Sequence, residues 1–254
     1  FYSMTIGASD MGTGCDTILA QMAADGLGCD MDNIIVRGVD TDQSPYDSGS
    51  YASSTTYVTG GAVVKACESM RKRICEEAAA IMGLKSGEVD FDGETISEND
   101  NPEHSMTLSD LITSLEAGNG RIIEVTESHT SPVSPPPFMA GAAEIEVDLE
   151  TGKITPINYV AAVDCGTVIN TNLARIQTEG GIVQGMGMTL YEDVQYTEAG
   201  KMKNRNFMSY KIPTRLDMGS ISVEFESSYE QTGPYGAKSI GEIVINTPRS
   251  EERR

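Results

Sequence analysis

The sequence predicts an α+β fold in two halves, residues 1–120 and 121–254, each a mixed sheet with helices packed on it. Three observations carry this. A strand, a glycine loop, a helix and a second strand follow one another within residues 4–36. A long helix with an apolar stripe runs from near Gly60 to Gly83. From Arg121 onward the apolar spacing changes from helical to alternating.

In the first half, residues 4–8 read as a short strand entering Asp10-Met11-Gly12-Thr13-Gly14. Ile18, Leu19, Met22 and Ala23 then recur at spacings of three and four, a helix that Gly26 and Gly28 close. Residues 33–36 form a second strand. A polar turn region at 43–49 leads to the hydroxyl run Ser50-Tyr51-Ala52-Ser53-Ser54-Thr55-Thr56-Tyr57. The stripe of the long helix is Val63, Cys67, Met70, Ile74 and Ile81, with Ala78 filling in. Residues 89–96 read as a hairpin around Asp92-Gly93. They are not a calcium loop, because Gly93 stands fourth from Asp90 and such a loop needs glycine sixth. Thr107 and Asp110 mark a helix start, with Leu111 and Leu115 on one face.

In the second half, Ile123 and Val125, then Ala143, Ile145 and Val147, alternate with polar residues as in a half-solvated sheet. The proline-rich stretch 131–137 between them is a stiff extended connector. Residues 150–153 make a hairpin turn, and 159–163 a more buried strand. Residues 173–190 have helical spacing but carry Gly180, Gly181, Gly185 and Gly187. Each glycine costs a helix interior about 1 kcal/mol, so the set predicts close approach by another backbone or a ligand. Residues 194–196 and 221–225 are further strands, and 243–245 a strand-like apolar run. No Ser/Gly linker and no internal repeat occurs. Apolar segments lie hard against both ends, and the chain reads as a piece of a larger unit.

The formal charge of −20 argues against nucleic acid and anionic membranes, which repel it. No apolar run approaches the ~20 residues that span a bilayer. Cys15, Cys29, Cys67, Cys75 and Cys165 form no closely spaced pair, and only His104 and His129 accompany them. A zinc or thiolate-held iron–sulfur site cannot be built from such scattered ligands. Reduced, mostly buried thiols in a cytoplasmic protein are expected instead. No Ser-His-Asp set or nucleophile elbow is present.

Four places could carry chemistry: residues 11–14, the hydroxyls of Ser53, Ser54, Thr55 and Thr56, Gln184 in its glycine-studded helix, and the loop 233–242. Glycine exposes backbone N–H groups, and the first two places lie just before helices, where the dipole favours an anion. Together they suit a phosphate-bearing cofactor, although any one alone also reads as an ordinary tight turn. Glu242, between Gly241 and an apolar run, is the candidate base, since burial raises a carboxyl toward neutral pH. From its position alone, the reading as a strand-edge glutamate with a structural partner is favoured.

The segments IGASDMGTGCDT, SYASSTTYVTGGAV, AAEIEVDLETGKI, VDCGTVINTNLARIQTEGGIVQGMGMTLYEDV, MSYKIPTRLD and GPYGAKSIGE, in this order, resemble the molybdenum hydroxylases, the xanthine dehydrogenase and aldehyde oxidase family. The likeness is to the C-terminal part of the molybdopterin-binding subunit. Residues 84–120 and the last hexapeptide match poorly. The resemblance implies an oxidoreductase subunit, active only in a complex, that hydroxylates an electron-poor C–H of an N-heterocycle such as a purine or nicotinate. An aldehyde oxidoreductase subunit and a non-catalytic cofactor-docking fragment are the alternatives. The implied cofactor is a molybdenum–pyranopterin, molybdopterin itself or its cytosine dinucleotide, whose dithiolene holds the metal without a protein ligand. Gly12, Thr13, Gly14, Ala52, Ser53, Ser54, Thr55 and Thr56 would cradle the pterin and its phosphate. Gln184 would hydrogen-bond the metal's oxo group or the pterin. Gly241 would bring Glu242 to the metal, to take the proton of its hydroxyl ligand. Thr13 departs from the family's usual glutamine and has a shorter reach. The implied partners are an upstream molybdopterin subunit, an iron–sulfur subunit and a flavin subunit, the last two carrying the iron–sulfur and FAD groups. The family's upstream half and a helix beyond Pro248 are missing, so the chain resembles the second of a split pair, as in nicotinate dehydrogenase, or a truncated copy.

Overall fold

The computed structural model describes residues 1–249. The end of the expected second half, and with it most of the last hexapeptide, lies outside the described residues. The chain divides into two compact units. Unit 1 is Phe1–Ser50 with Ser54–Val133, and unit 2 is Tyr51–Ser53 with the residues from Ser134 onward. Residues 121–133, expected in the second half, thus belong to unit 1.

Unit 1 opens with β1 (Tyr2–Thr5), α1 (Cys15–Leu27) and β2 (Ile34–Arg37), the two strands parallel with Tyr2 opposite Ile34. α1 buries Leu19, Met22, Ala23 and Leu27 and ends on Gly28 in the left-handed region, φ +74°. Gly26, expected as a closing glycine, lies inside the helix. α2 (Gly60–Met82) ends on Gly83 in the same way. A meander of β3 (Val89–Phe91), β4 (Thr95–Glu98) and β5 (Asn101–Thr107) precedes α3 (Leu108–Asn119). Thr107 caps α3, its hydroxyl accepting from the Asp110 N–H at 3.1 Å. Ile74, Ala78, Phe91, Ile96, Leu111 and Leu115 make the core between α2, α3 and the meander.

Two expectations need correction here. Ile81 is 46 % exposed, because the buried face of α2 turns along its length. Val63 and Cys67 are buried on the stretch that packs against α1, whereas Ala78, Ala79 and Met82 pack toward the meander. Ile123 and Val125 lie in no strand. Their segment runs along α2 instead, with Arg121 paired to Glu77, the Ser69 hydroxyl donating to Glu127 at 2.6 Å, and Ile123 packing on the core. β5 was unforeseen: it is almost wholly polar and exposed, and exists through its pairing with β4.

Unit 2 is built on β6 (Phe138–Val147), β7 (Ile154–Asp164) and β8 (Ser220–Phe225), in the order β6-β7-β8. β6 and β7 are antiparallel around the expected turn, while β7 and β8 are parallel. Tyr159, Ala161, Val163 and Val223 bury one face against Ile182 and Met186 of α4 (Thr171–Leu190). β6 is the outer strand and is exposed nearly throughout, so Ile145 and Val147 do not face a core as expected, being 50 % and 44 % exposed. Residues 194–196 contribute a single bridge, Tyr196 to Met202, and no strand. The five cysteines are free. Among the described residues, no helix is long and apolar enough to cross a membrane.

The run 243–245 is helical, within α5 (Ile243–Arg249). In a helix only Val244 of the three apolar residues is fully buried. α5 also explains two of the glycines of α4. A Cβ on Gly181 would lie 2.2 Å from Val244 Cγ2, and one on Gly185 would lie 2.7 Å from the Ile245 carbonyl oxygen. The close approach is that of another backbone. Gly180 faces open space. Gly180→Ala is therefore expected to stabilise the protein by about 1 kcal/mol through helix propensity alone. Gly185→Ala is expected to destabilise it by about 1–3 kcal/mol, because α5 must move. Denaturant midpoints of the two variants check the opposite signs.

Candidate functional site

The first candidate loop, in unit 1, is organised around a carboxylate. Asp10 Oδ1 accepts from the N–H groups of Gly12 at 2.8 Å and Gly14 at 3.2 Å, and Oδ2 from that of Asp16 at 3.4 Å. Gly12 and Gly14 reach this geometry at φ +101° and +76°, which side chains disfavour. Desolvation alone would raise the Asp10 carboxyl, but the N–H groups of Gly12, Gly14, Asp16 and Thr13 together outweigh it and hold it below the usual range. The donors expected to meet an external anion are thus engaged by an internal one. Thr13 is half-buried between the two glycines. Asp10, Cys15 and Asp16 bring their potential ligand atoms within 4.8 Å of one another. Burial, then Asp10 and Asp16, push the Cys15 thiol up to about 11. It stays protonated at neutral pH and is a poor metal ligand in that form.

The hydroxyl run is divided between the units. Ser54, Thr55 and Thr56 lie in unit 1, the last two in a wide helical turn, Thr55–Thr59, that leads into α2. Such turns concentrate at functional sites. Ser54 donates to the Gly49 carbonyl at 3.3 Å and Thr55 to the Ser50 hydroxyl at 2.7 Å. The Thr56 side chain has no hydrogen-bond partner among the described residues.

Unit 2 holds Ala52, Ser53, Gln184, Gly241 and Glu242. Ala52 and Ser53 take φ +52° and +56°. The left-handed region costs a side chain roughly 1–2 kcal/mol per residue, so two in succession are strained. Tyr235, in the loop 233–242, has φ +54°. These are the three non-glycine residues at positive φ in the described chain, and all lie in segments the sequence marked as candidate sites. Ser53 and Gly241 meet: a Cβ on Gly241 would lie 3.0 Å from Ser53 Oγ. Gln184 is exposed on α4, beside the glycines that receive α5. The side chains of Ser53, Gln184 and Glu242 have no hydrogen-bond partner among the described residues.

Glu242 departs from its expected setting. It is exposed, in the turn before α5, and the buried neighbour is Val244. The burial expected around it is not supplied by the described residues.

The loop 233–242 is fixed by residues that sequence reasoning missed. Lys238 Nζ lies 2.8 Å from Asp164 Oδ2 at the end of β7, with side chains 10 % and 20 % exposed. The ammonium also stands 5.5 Å from the centre of the Phe138 ring. Asp164 accepts from the Ser228 hydroxyl at 2.6 Å and from the Gly166 N–H at 3.0 Å. Lys238 N donates to the Cys165 carbonyl at 2.8 Å. A Cβ on Gly166 would fall 2.3 Å from the Gly236 carbonyl oxygen, so glycine is required there. The sequence signal was available: Asp164 directly precedes Cys165-Gly166, and Lys238 is the one cation of its glycine-rich loop.

The molybdopterin cofactor-binding domain family matches residues 2–219. The chain is 32 % identical over 245 residues to the Probable hypoxanthine oxidase XdhD of Escherichia coli K12, covering 94 % of this chain and 25 % of that protein. It is 29 % identical over 244 residues to the xanthine dehydrogenase molybdenum-binding subunit of Escherichia coli O157:H7, covering 94 % of this chain and 32 % of that one. The crystal structure of quinoline 2-oxidoreductase from Pseudomonas putida 86 superposes with a TM-score of 0.81 at 26 % identity, over 97 % of this chain and 32 % of that chain. The chain therefore spans a quarter to a third of the length of these relatives.

Desolvation alone would raise the Asp164 carboxyl, but Lys238, Ser228 and the Gly166 N–H outweigh it and hold it below the usual range. Unfolded, it returns to about 3.9. Its contribution to stability is thus complete above about pH 4 and is lost as pH falls through the lower folded value. Asp164→Asn is expected to flatten this acid limb and, by leaving Lys238 unpaired, to cost on the order of 3 kcal/mol at neutral pH. Chemical denaturation across pH 2–7 measures both effects. Ala52→Gly is expected to raise the unfolding midpoint by the equivalent of about 0.5–1 kcal/mol, and Ala52→Val to lower it, because the backbone is left-handed there.

Proposed function

Because the chain belongs to the molybdopterin cofactor-binding domain family, we propose that it supplies cofactor-facing loops and the base of a molybdenum hydroxylase acting on an electron-poor N-heterocycle of the purine or nicotinate type. The observation that carries this reading is the strained Ala52–Ser53 turn resting on Gly241, the residue before Glu242. Strain of this kind persists where surrounding structure enforces it, and it concentrates at ligand sites. The substrates in the relatives' names, hypoxanthine, xanthine and quinoline, are all N-heterocycles.

The residues fit a molybdenum–pyranopterin in the chemistry of their donors. Ser53, Thr56 and Gln184 offer neutral hydrogen-bonding groups without partners among the described residues, as a polar cofactor carrying anionic groups requires in a chain of charge −20. When bound, the cofactor would supply the redox and oxygen-transfer chemistry. Gln184 would donate its amide N–H groups and accept through its carbonyl. Ser53 and Thr56 would donate hydroxyl protons. In unit 1, Gly12, Thr13 and Gly14 would offer the Thr13 hydroxyl; the N–H groups of the two glycines are engaged by Asp10. Ala52 would hold the left-handed turn that presents Ser53, and Ser54 and Thr55 would set the backbone that presents Thr56. Gly241 would let Glu242 approach, and a Glu242 carboxylate oxygen would accept the proton released as substrate is oxygenated and pass it to water. Its burial would come from polypeptide outside this sequence.

The same reading assigns iron–sulfur and flavin groups to partner chains. It takes the pterin as molybdopterin or its cytosine dinucleotide. The five free thiols suit a cytoplasmic setting.

In the native assembly, Glu242→Gln is expected to lower turnover of an N-heterocycle by about 10²–10⁴-fold while molybdenum content stays at the parent level. Turnover within a few-fold of the parent protein would refute the base assignment. Equal loss of molybdenum and activity would make Glu242 a structural residue.

A further inference from the structure

Residues 201–216, which take in all of MSYKIPTRLD but its closing Asp217, find no use in the reading above. Their composition is unlike the rest of the chain. Five basic residues, from Lys201 to Arg215, stand here without a single acid. The remaining residues together carry −25 against a chain total of −20. The five are exposed, and none is in a salt bridge among the described residues.

Large apolar side chains stand exposed among them. Phe207 is 93 % exposed, Met208 86 %, Leu216 96 % and Ile212 58 %. Scattered exposed apolar residues are ordinary, but four within ten residues form a group. The segment that displays them is firmly held. Asn204 is buried, its amide donating to the Asp193 carbonyl and its side-chain oxygen accepting from Gln195 N at 3.0 Å. Tyr210 donates to Glu192 Oε2 at 2.7 Å. Pro213 lies where a Cβ on Gly187 of α4 would come within 3.0 Å of it. Met218 is part of the unit 2 core. Between these anchors, Asn206 Oδ1 accepts from Met208 N and Ser209 N, both at 3.1 Å, and Asp217 Oδ2 accepts from Thr214 N at 2.7 Å. Each closes a turn that carries an exposed apolar tip. The cost of ordering the backbone is met, while the apolar tips stay in water.

We infer that this loop docks a polypeptide, lying outside this sequence, that presents an apolar cleft rimmed by carboxylates. Phe207, Met208 and Leu216 enter the cleft, and the surrounding Lys and Arg side chains pair with the rim. Buried aromatic and aliphatic anchors inside a ring of charge are the usual anatomy of a protein interface. The five cations select an acidic rim, and the apolar tips select a protein: Phe207, Met208 and Leu216 need an apolar cleft, which a nucleic-acid backbone does not offer. The inference stands apart from the hydroxylase reading, because it rests on charge and exposure alone.

The test is a photo-crosslinking benzoyl-phenylalanine at position 207 in the natively assembled protein, with crosslinked peptides identified by mass spectrometry and molybdenum measured on the same sample. The expected result is a crosslink to peptides outside this sequence that carry more Asp and Glu than Lys and Arg. The crosslink yield should fall at least about tenfold when Lys203→Glu and Arg205→Glu are combined, with the melting temperature unchanged. A second variant pair, Lys72→Glu with Lys85→Glu on exposed surface elsewhere, should leave the yield intact. Crosslinks confined to this sequence, target peptides without an acidic excess, or sedimentation of the assembly with phosphatidylglycerol vesicles that the same double variant abolishes would each overturn the inference. Molybdenum content decides the hydroxylase reading separately.

Discussion

One ion pair fixes the loop 233–242 of unit 2. Asp164 ends the central strand β7, and Lys238 lies in the loop that leads to Gly241 and Glu242. Removing two charges from water is expensive, and such a pair stabilises only when its remaining hydrogen-bonding capacity is filled. Ser228 and Gly166 fill that of Asp164, while Phe138 gives the ammonium a second favourable face. Apolar groups of similar volume would hold the loop with comparable energy but without direction. Here the charges, with the Lys238 N–H to Cys165 bond, define where the loop begins its return toward Ser53. Glycine at 166 and 236 removes the side chains that would obstruct this approach.

Much of the fold was legible where one local rule acts alone. The βαβ start, α2 with its closing glycine and the β6–β7 turn follow from spacing and from glycine's tolerance of positive φ. The glycines of α4 announced a close neighbour, and only the structure distinguishes a backbone from a ligand. What stayed hidden depends on partners distant in sequence. β5 carries no apolar alternation and is a strand because β4 offers it an edge. The run 243–245 has strand composition and becomes helical because α4 provides a groove without side chains.

The candidate site was legible in type more than in arrangement. The sequence marked the segments that contain Ala52, Ser53 and Tyr235, yet neither alanine nor serine nor tyrosine announces a left-handed backbone. Asp10 was read as part of the approach to a glycine loop, and it proves to be the loop's own anion. For Glu242, burial was inferred from sequence neighbours, but helical geometry turns successive residues about 100° apart, so an apolar run need not bury the residue before it.

The allocation of Tyr51–Ser53 to unit 2, while both flanks belong to unit 1, bears on how such a chain could divide during evolution. The proline-rich stretch at residues 131–137 looks like a natural place for gene fission, being extended and without strand pairing up to Pro137. A break there would strand three residues of the downstream unit on the upstream product, and with them the serine that rests on Gly241. Neither product would then encode a complete unit 2. The interlaced chain path thus binds both stretches of sequence into one heritable block, even though each has a core of its own.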